Sequence, residues 1–485
     1  MKKIGIIGSG FSSLSAACYL RREGFEVSVF EKNTSFGGRA RQLKRDGFTF
    51  DMGPTWYWMP DVFEKFFSDF NKKPSDYYHL EKLSPGYKVF FGKEDSITIS
   101  DQLEDIYNAF EKEEKGSAAK LKEFLKLAEK NYNIAIKDLV YNPGVSPLEL
   151  ISFKTALELK QFITTIHTHI KRNFKSPKLR QIMEFPVLFL GAKPQNTPLF
   201  YSFMNYADFV LGTWYPKGGM YSVVNGIITL AKKLGVKFEG NSNVEEIIVK
   251  GGSVEGLIIN GKKHRFDYII SGADYHHTES LLELEYRNYK ESYWNKKVMA
   301  PSALLFYVGF EHKIKDVLHH TLFFDESFDG HAVDIYDEPK WPEKPLFYAS
   351  FPSITEKEVA PEGKEAAIFL IPIAPDLEDS EEIRAKYFDM ILERLQTLTG
   401  QDLKHQVIFK QSYCVNDFKE DYNSFKGNAY GLANTLMQTA FLRPKLKSKK
   451  VENMYYTGQL TVPGPGVPPA LISGKLVADL ILKKH

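Results

Sequence analysis

A short apolar run, Ile4 to Ile7, ends in Gly8-Ser9-Gly10-Phe11-Ser12-Ser13, and from Leu14 to Gly24 the pattern turns helical, with Leu14, Ala17, Cys18 and Leu20 on one face. This predicts a strand, a tight turn and a helix. A second apolar strand, Phe25 to Phe30, runs into the acidic Glu31, about twenty residues past the glycines, the interval at which an acid accepts ribose hydroxyls. Gly8 permits the turn, Gly10 lets backbone approach a pyrophosphate, and the helix N-terminus offers unpaired N–H groups and a favourable dipole. A dinucleotide site is expected here. One element departs: Ser13 stands where a third glycine usually packs helix on strand, and its Cβ and hydroxyl predict a small adjustment rather than loss of the site.

The segments that follow are Phe36-Gly37-Gly38-Arg39-Ala40-Arg41 and Phe48-Thr49-Phe50-Asp51-Met52-Gly53-Pro54-Thr55. They resemble the flavoprotein superfamily of amine oxidases and carotenoid desaturases. The resemblance implies FAD, with glycine backbone lying against it and Arg39 near the pyrophosphate. Two later blocks agree: Tyr215 to Met220, leading through a helical pattern and Val244 to Asp274, and Met454 to Gln459, running into Pro463-Gly464-Pro465-Gly466-Val467-Pro468-Pro469 and a final helix. A Gly-Pro turn before a helix sets N–H groups and a positive dipole end beside a ligand. The FAD contacts implied are Gly8, Ser9, Gly10, Phe11, Ser12, Ser13, Glu31, Lys32, Gly38, Arg39, Gly53, Pro54, Thr55, Val244, Gly458, Gln459 and Val467.

Through Gly8 to Ser13, Gly37 to Arg41, Phe50 to Thr55 and Gly464 to Pro468, the whole chain is similar to the bacterial phytoene desaturase family. It departs from the commoner family form at Gln459 and Val462. The likeness implies removal of hydrogen from a C40 carotenoid precursor, phytoene towards lycopene, with flavin accepting hydride and quinone or oxygen as final acceptor. No side chain is singled out as the catalytic base. Three other readings stay open: a desaturase or isomerase acting on another carotenoid such as a hydroxylated one, an amine oxidase, and a non-redox protein that binds polyisoprenoids. Trp56, Tyr57 and Trp58, directly after Thr55, are expected to wall the substrate pocket.

The expected architecture is α/β: residues 1–60, 212–277 and 451–485 form a discontinuous Rossmann-like FAD-binding domain, and 61–211 with 278–450 form an α+β substrate region. Ile106 to Lys130 is helical in pattern, with i, i+3, i+4 apolar spacing and dense charge between, while Ala303 to Phe310, Leu346 to Phe351 and Ala366 to Ile373 read as strands of an antiparallel sheet walling the pocket. Between Phe153 and Arg180, apolar Leu157, Leu159, Phe162, Ile163, Ile166 and Ile170 alternate with Lys154, Lys160, Lys171, Arg172, Lys175, Lys178 and Arg180. An interfacial helix on anionic headgroups and a core helix with a solvated basic face both fit that pattern. The run Phe185 to Gly191 fits either a channel wall or a membrane insertion.

A net charge of +2 argues against nucleic acid as a partner. Two cysteines, Cys18 and Cys414, build neither a disulfide framework nor a thiolate metal site. His276-His277 and His319-His320 lack acidic partners at ligand spacing, so no metal is assigned, and no Gly-x-Ser-x-Gly elbow occurs. With no export signal and no spanning helix in the sequence, the expected location is the cytoplasm, at the inner face of the cell membrane.

Overall fold

The computed structural model describes residues 1–146, 149, 159–188 and 191–484. Strand β1 (Lys3–Ile7), helix α1 (Phe11–Arg22) and strand β2 (Glu26–Phe30) open a five-stranded parallel sheet. Its order is Met454–Tyr456, Tyr268–Ser271, β1, β2, Lys237–Glu239, so three separate stretches of chain build one sheet. Such a sheet needs cover on both faces. Ile4, Ile6, Val27, Val29 and Ile270 pack with α1, the helix Met220–Leu234 and the C-terminal helix Val467–Leu482, while Ile7, Phe30 and Ile269 pack with Val244, Leu257 and Ile259 of a three-stranded antiparallel sheet.

Close approach of backbone sets the helix layer. A Cβ on Gly474 of the C-terminal helix would lie 2.2 Å from the Ser12 carbonyl oxygen of α1, so the two helices touch at backbone distance. Ser13 is accommodated by a complementary glycine: a Cβ on Gly272, just past the strand Tyr268–Ser271, would lie 2.0 Å from Ser13 Oγ. The missing third glycine is thus supplied by the facing chain.

A second sheet of seven strands runs Val407–Tyr413, Ser302–Phe310, Glu365–Ile373, Phe347–Ser350, His320–Phe323, Tyr87–Gly92, Asp95–Ile99. It is not purely antiparallel as expected. The hairpin Tyr87–Ile99 comes from the first insertion and docks parallel to His320–Phe323, because its direction is set by its own chain rather than by a tight turn to its neighbour.

The helical part sharpens two expectations. The helical pattern of Ile106 to Lys130 falls on two helices, Leu103–Glu113 and Ser117–Ile134, separated at Gly116 with φ 84°. In the basic segment, Leu159–Ile163, Ile166–Asn173 and Pro177–Leu188 are helical; Ile166, Ile170, Leu179 and Ile182 are fully buried, and Lys171, Arg172 and Lys175 are exposed. The apolar face over 166–182 therefore packs inward, as a core helix with a solvated basic face. Residues 153–158 of that segment and 189–190 of the later run lie outside the described residues. Phe185 and Val187 are buried, with Phe185 against the rings of Trp56, Trp58 and Tyr87. Among the described residues no helix is long and apolar enough to cross a membrane.

Candidate functional site

The turn after β1 is held from two sides. Gly8, with φ +83°, donates its N–H to the Phe30 carbonyl, and Glu31 Oε2 accepts from the Ser9 N–H at 3.1 Å and from Ser9 Oγ at 2.7 Å. Glu31 Oε1 accepts from the Asn33 N–H and Nδ2, which leaves the buried carboxylate fixed at the sheet edge. Ser9 Oγ in turn accepts from the Gly37 N–H at 3.1 Å, bringing the second glycine loop onto the first. There the backbones touch: a Cβ on Gly38 would lie 3.1 Å from Gly10 Cα. In the direction of a Gly10 Cβ, nothing lies within 4 Å. That opening is the cradle a pyrophosphate needs, at a helix N-terminus whose N–H groups no side chain caps.

Arg39 completes this end. Its Nη2 donates to Ser424 Oγ at 3.1 Å and to the Asn428 carbonyl at 3.4 Å, its plane stands 5.0 Å from the Tyr422 ring, and its Nε is buried with no acceptor. Burial presses the guanidinium below its ordinary range, and Asp274 opposes that. A buried cation with an unspent N–H in a cavity wall fits an anionic group. Asp274, which caps the helix Tyr275–Ser280 through the His276 and His277 N–H groups, lines the same wall.

One cavity of about 780 Å³ joins these parts. Apart from Ser13, which faces Gly272, every residue expected to contact the cofactor lines it: Gly8 to Ser12, Glu31, Lys32, Gly38, Arg39, Gly53 to Thr55, Val244, Gly458, Gln459 and Val467. Beside α1 the wall is continued by the turn before the C-terminal helix, where Gly458, Gly464 and Gly466 have φ of +105°, +131° and +117°, conformations that glycine adopts without strain. Val467 begins that helix behind an N-cap, Gly466, that has no capping side chain.

Beside Thr55 the same cavity is lined by Trp56, Trp58, Phe185 and Phe324, and further by Phe162, Phe200, Tyr201 and Phe441. Trp56 stacks on His320 at 4.0 Å, and Trp58 Nε1 donates to Thr213 Oγ1 at 2.9 Å. Tyr57 is the correction to the expected aromatic wall. It is 1% exposed, stacks on Phe63 at 4.3 Å and shares a hydrogen bond with Tyr78, because alternate residues of an extended segment point to opposite sides.

Sequence reasoning passed over Asp274, Tyr336, Tyr348, Asp421 and Tyr430, all of which line the cavity. Only Asp274 had a local signal, as the end of the strand-to-glycine run Tyr268 to Ala273. Tyr348 Oη shares hydrogen bonds with Thr55 Oγ1 at 2.8 Å and His320 Nδ1 at 2.7 Å. Among the described residues, Glu149 and His331 reach the cavity beyond the dinucleotide end, and both are occupied. Glu149 accepts the N–H groups of Gly144, Val145 and Ser146, and His331 bonds the Pro372 carbonyl and the Leu346 N–H. Burial pushes His331 down to about 4, which leaves it neutral at neutral pH.

The histidine pairs have other partners. His276 bonds Glu291, His277 meets Asn423, and His319 bonds Thr355; His276 and His277 lie on the helix Tyr275–Ser280.

The family model of flavin containing amine oxidoreductases matches residues 11–482. A carotenoid 3,4-desaturase of Haloarcula japonica is 41% identical over 484 residues, covering 99% of this chain and 98% of that protein. A 4,4'-diapophytoene desaturase of Staphylococcus haemolyticus is 32% identical, covering 99% and 98%. Among solved structures, an oxidoreductase from Methanosarcina mazei shares the fold with a TM-score of 0.64 at 16% identity, covering 98% of this chain and 100% of that one.

Proposed function

Because the chain belongs to the family of flavin-containing amine oxidoreductases, an FAD-dependent oxidoreductase, we propose that it desaturates a long-chain carotenoid. The observation that carries this is the cavity itself, which runs without interruption from the dinucleotide cradle into an apolar tunnel, with no free acid or base among the described residues of the tunnel. FAD, when bound, supplies a two-electron acceptor. The chain's own residues then have three tasks. The Gly8–Ser12 turn, Glu31 and Arg39 hold the dinucleotide; the Gly458–Val467 wall presents a positive helix end; Trp56, Trp58 and Phe185 exclude water and align an extended polyene. An amine substrate would call for a free carboxylate or an equivalent cation site in the tunnel, and Glu149 is already spent on three N–H groups.

Phytoene, converted towards lycopene, is the first substrate reading, with quinone or oxygen as final electron acceptor. A second reading is an oxygenated carotenoid. It is favoured by Tyr336 and Tyr430, which line the cavity and have no hydrogen-bond partner among the described residues. Burial pushes Tyr430 up to about 12 and Tyr336 further, so both hydroxyls stay protonated and can donate to a substrate oxygen.

A third element of the reading is attachment to a membrane surface at the tunnel end. Val145, Ile163 and Met437 are 63%, 72% and 74% exposed, and each adjoins a cavity-lining residue, Gly144, Phe162 and, one step further along, Thr439. A Cβ on Gly144 would lie 3.5 Å from Phe441 Cα, and Tyr201 bonds Thr439, which brings the segments next to Val145 and Met437 onto the same wall of the cavity.

The deciding experiment presents liposomes carrying phytoene, or a hydroxylated acyclic carotenoid, to the FAD-loaded protein without oxygen. Bleaching of the flavin together with new banded visible absorbance is expected, and the faster substrate identifies the class. If the flavin stays oxidised with both carotenoids and bleaches with an amine, the reading fails.

A further inference from the structure

Arg443 is 2% exposed and forms five hydrogen bonds, all to neutral oxygens. Nε donates to the Thr461 carbonyl at 2.9 Å, Nη1 to Asn434 Oδ1 at 2.6 Å and the Gln438 carbonyl at 3.2 Å, and Nη2 to the Gln459 carbonyl at 2.7 Å and the Leu432 carbonyl at 3.3 Å. Every N–H of the guanidinium is satisfied, yet no carboxylate among the described residues forms an ion pair with it. Three other sheltered arginines do otherwise: Arg41 pairs with Asp421, Arg384 with Asp379 and Asp417, and Arg394 with Asp325. Burial of an unpaired charge is costly, and a fold that keeps one leaves its field unneutralised.

That field has a defined direction. Gln459 and Thr461, which accept from Arg443, belong to the turn whose other side, from Gly458 to Val467, walls the cavity. A Cβ on Gly464 would lie 3.2 Å from Asn434 Oδ1 and 3.6 Å from Arg443 Cζ, so the turn's backbone rests directly on the guanidinium. The uncapped N-terminus of the C-terminal helix faces the same wall. A fixed cation and a positive helix end therefore act on one side of the cavity, and the low dielectric of the interior strengthens both. Burial lowers the Arg443 pKa only to about 10, so the charge persists at neutral pH.

We propose that Arg443 is a positioning residue that raises the reduction potential of the bound flavin, its unpaired guanidinium favouring the more negative, reduced form across the Gly458–Val467 wall. The inference rests on the reading that this wall faces the flavin.

The test is the flavin midpoint potential of the FAD-loaded full-length protein, from anaerobic equilibrium titration against a reference dye, with bound FAD counted separately. Arg443→Gln removes the charge, and Arg443→Lys retains it with fewer hydrogen bonds. Asn434→Asp places a carboxylate beside Nη1 without removing the side chain, and carries the test if Arg443→Gln does not fold or retain FAD. Arg443→Gln and Asn434→Asp are expected to disfavour reduction at least tenfold, about 30 mV for a two-electron couple, while Arg443→Lys stays close to the parent. Gln459→Glu puts a new charge on the wall itself. If Gln459→Glu moves the potential and the charge-neutralising variants do not, the proposal for Arg443 falls and the site reading stands. If none of them moves it, the flavin does not face this wall.

Discussion

Asp208 is 3% exposed, and one of its oxygens accepts from Tyr87 Oη at 2.8 Å while the other has no partner. Burial pushes its carboxyl up to about 8 from an ordinary 3.8. Between those values the folded protein keeps a proton that the unfolded chain has released, so stability falls as pH rises through the window and levels off above it. Asp208→Asn removes that dependence. Urea unfolding at pH 5, 6, 7 and 8 is expected to show the parent losing about 1 kcal/mol per pH unit relative to the variant; parallel curves would mean that the folded carboxyl is ionised. Asp208 shows what sequence withholds at this scale, since its aspartate identity says nothing of the 121 residues that separate it from Tyr87. Glu31 is the opposite case, because its place directly after β2 already aimed it at the Gly8 turn.

The contact between α1 and the C-terminal helix governs two walls of the proposed cofactor site, because the N-terminus of each opens on the cavity. Gly474→Ala would set a Cβ 2.2 Å from the Ser12 carbonyl oxygen and 2.8 Å from the Ala16 nitrogen, atoms of backbone that cannot rotate away. The helices must separate, at about 1–3 kcal/mol for overpacking of this kind. The variant is expected to melt several degrees lower and to retain at least tenfold less FAD after gel filtration; a lowered melting temperature with full FAD content would uncouple the helix contact from the site. Elements were legible where their pattern was local. The strands Ser302–Phe310 and Glu365–Ile373 lie within a residue of the runs that announced them, whereas the parallel docking of Tyr87–Gly92 depends on His320–Phe323, a partner far along the chain.

For the whole molecule, the apolar rim and the basic segment offer two separate ways to meet a membrane. The buried side chains of Ile166, Ile170 and Leu179 leave residues 166–180 of the basic segment only their charge, while Val145, Met437 and Ile163, which precedes those residues in the same segment, present apolar surface. Flotation with anionic liposomes is expected to fall at least tenfold for the Val145→Asp, Ile163→Asp, Met437→Asp triple variant and to stay unchanged for Lys171→Glu, Arg172→Glu, Lys175→Glu. The reverse result would place the anchor on the basic face. By itself the sequence determined the strand, glycine turn and helix at Gly8 and the acid that meets them, the unit proposed to hold the dinucleotide, because these fall within about forty contiguous residues and such a unit folds on local rules. Tertiary structure decided the Gly272 cavity that receives Ser13, the inward turn of Tyr57, the gathering of Tyr336, Tyr348 and Tyr430, and the unpaired state of Arg443. Each of these depends on which distant segments share a space, and no local pattern of hydrophobicity or turn chemistry encodes that.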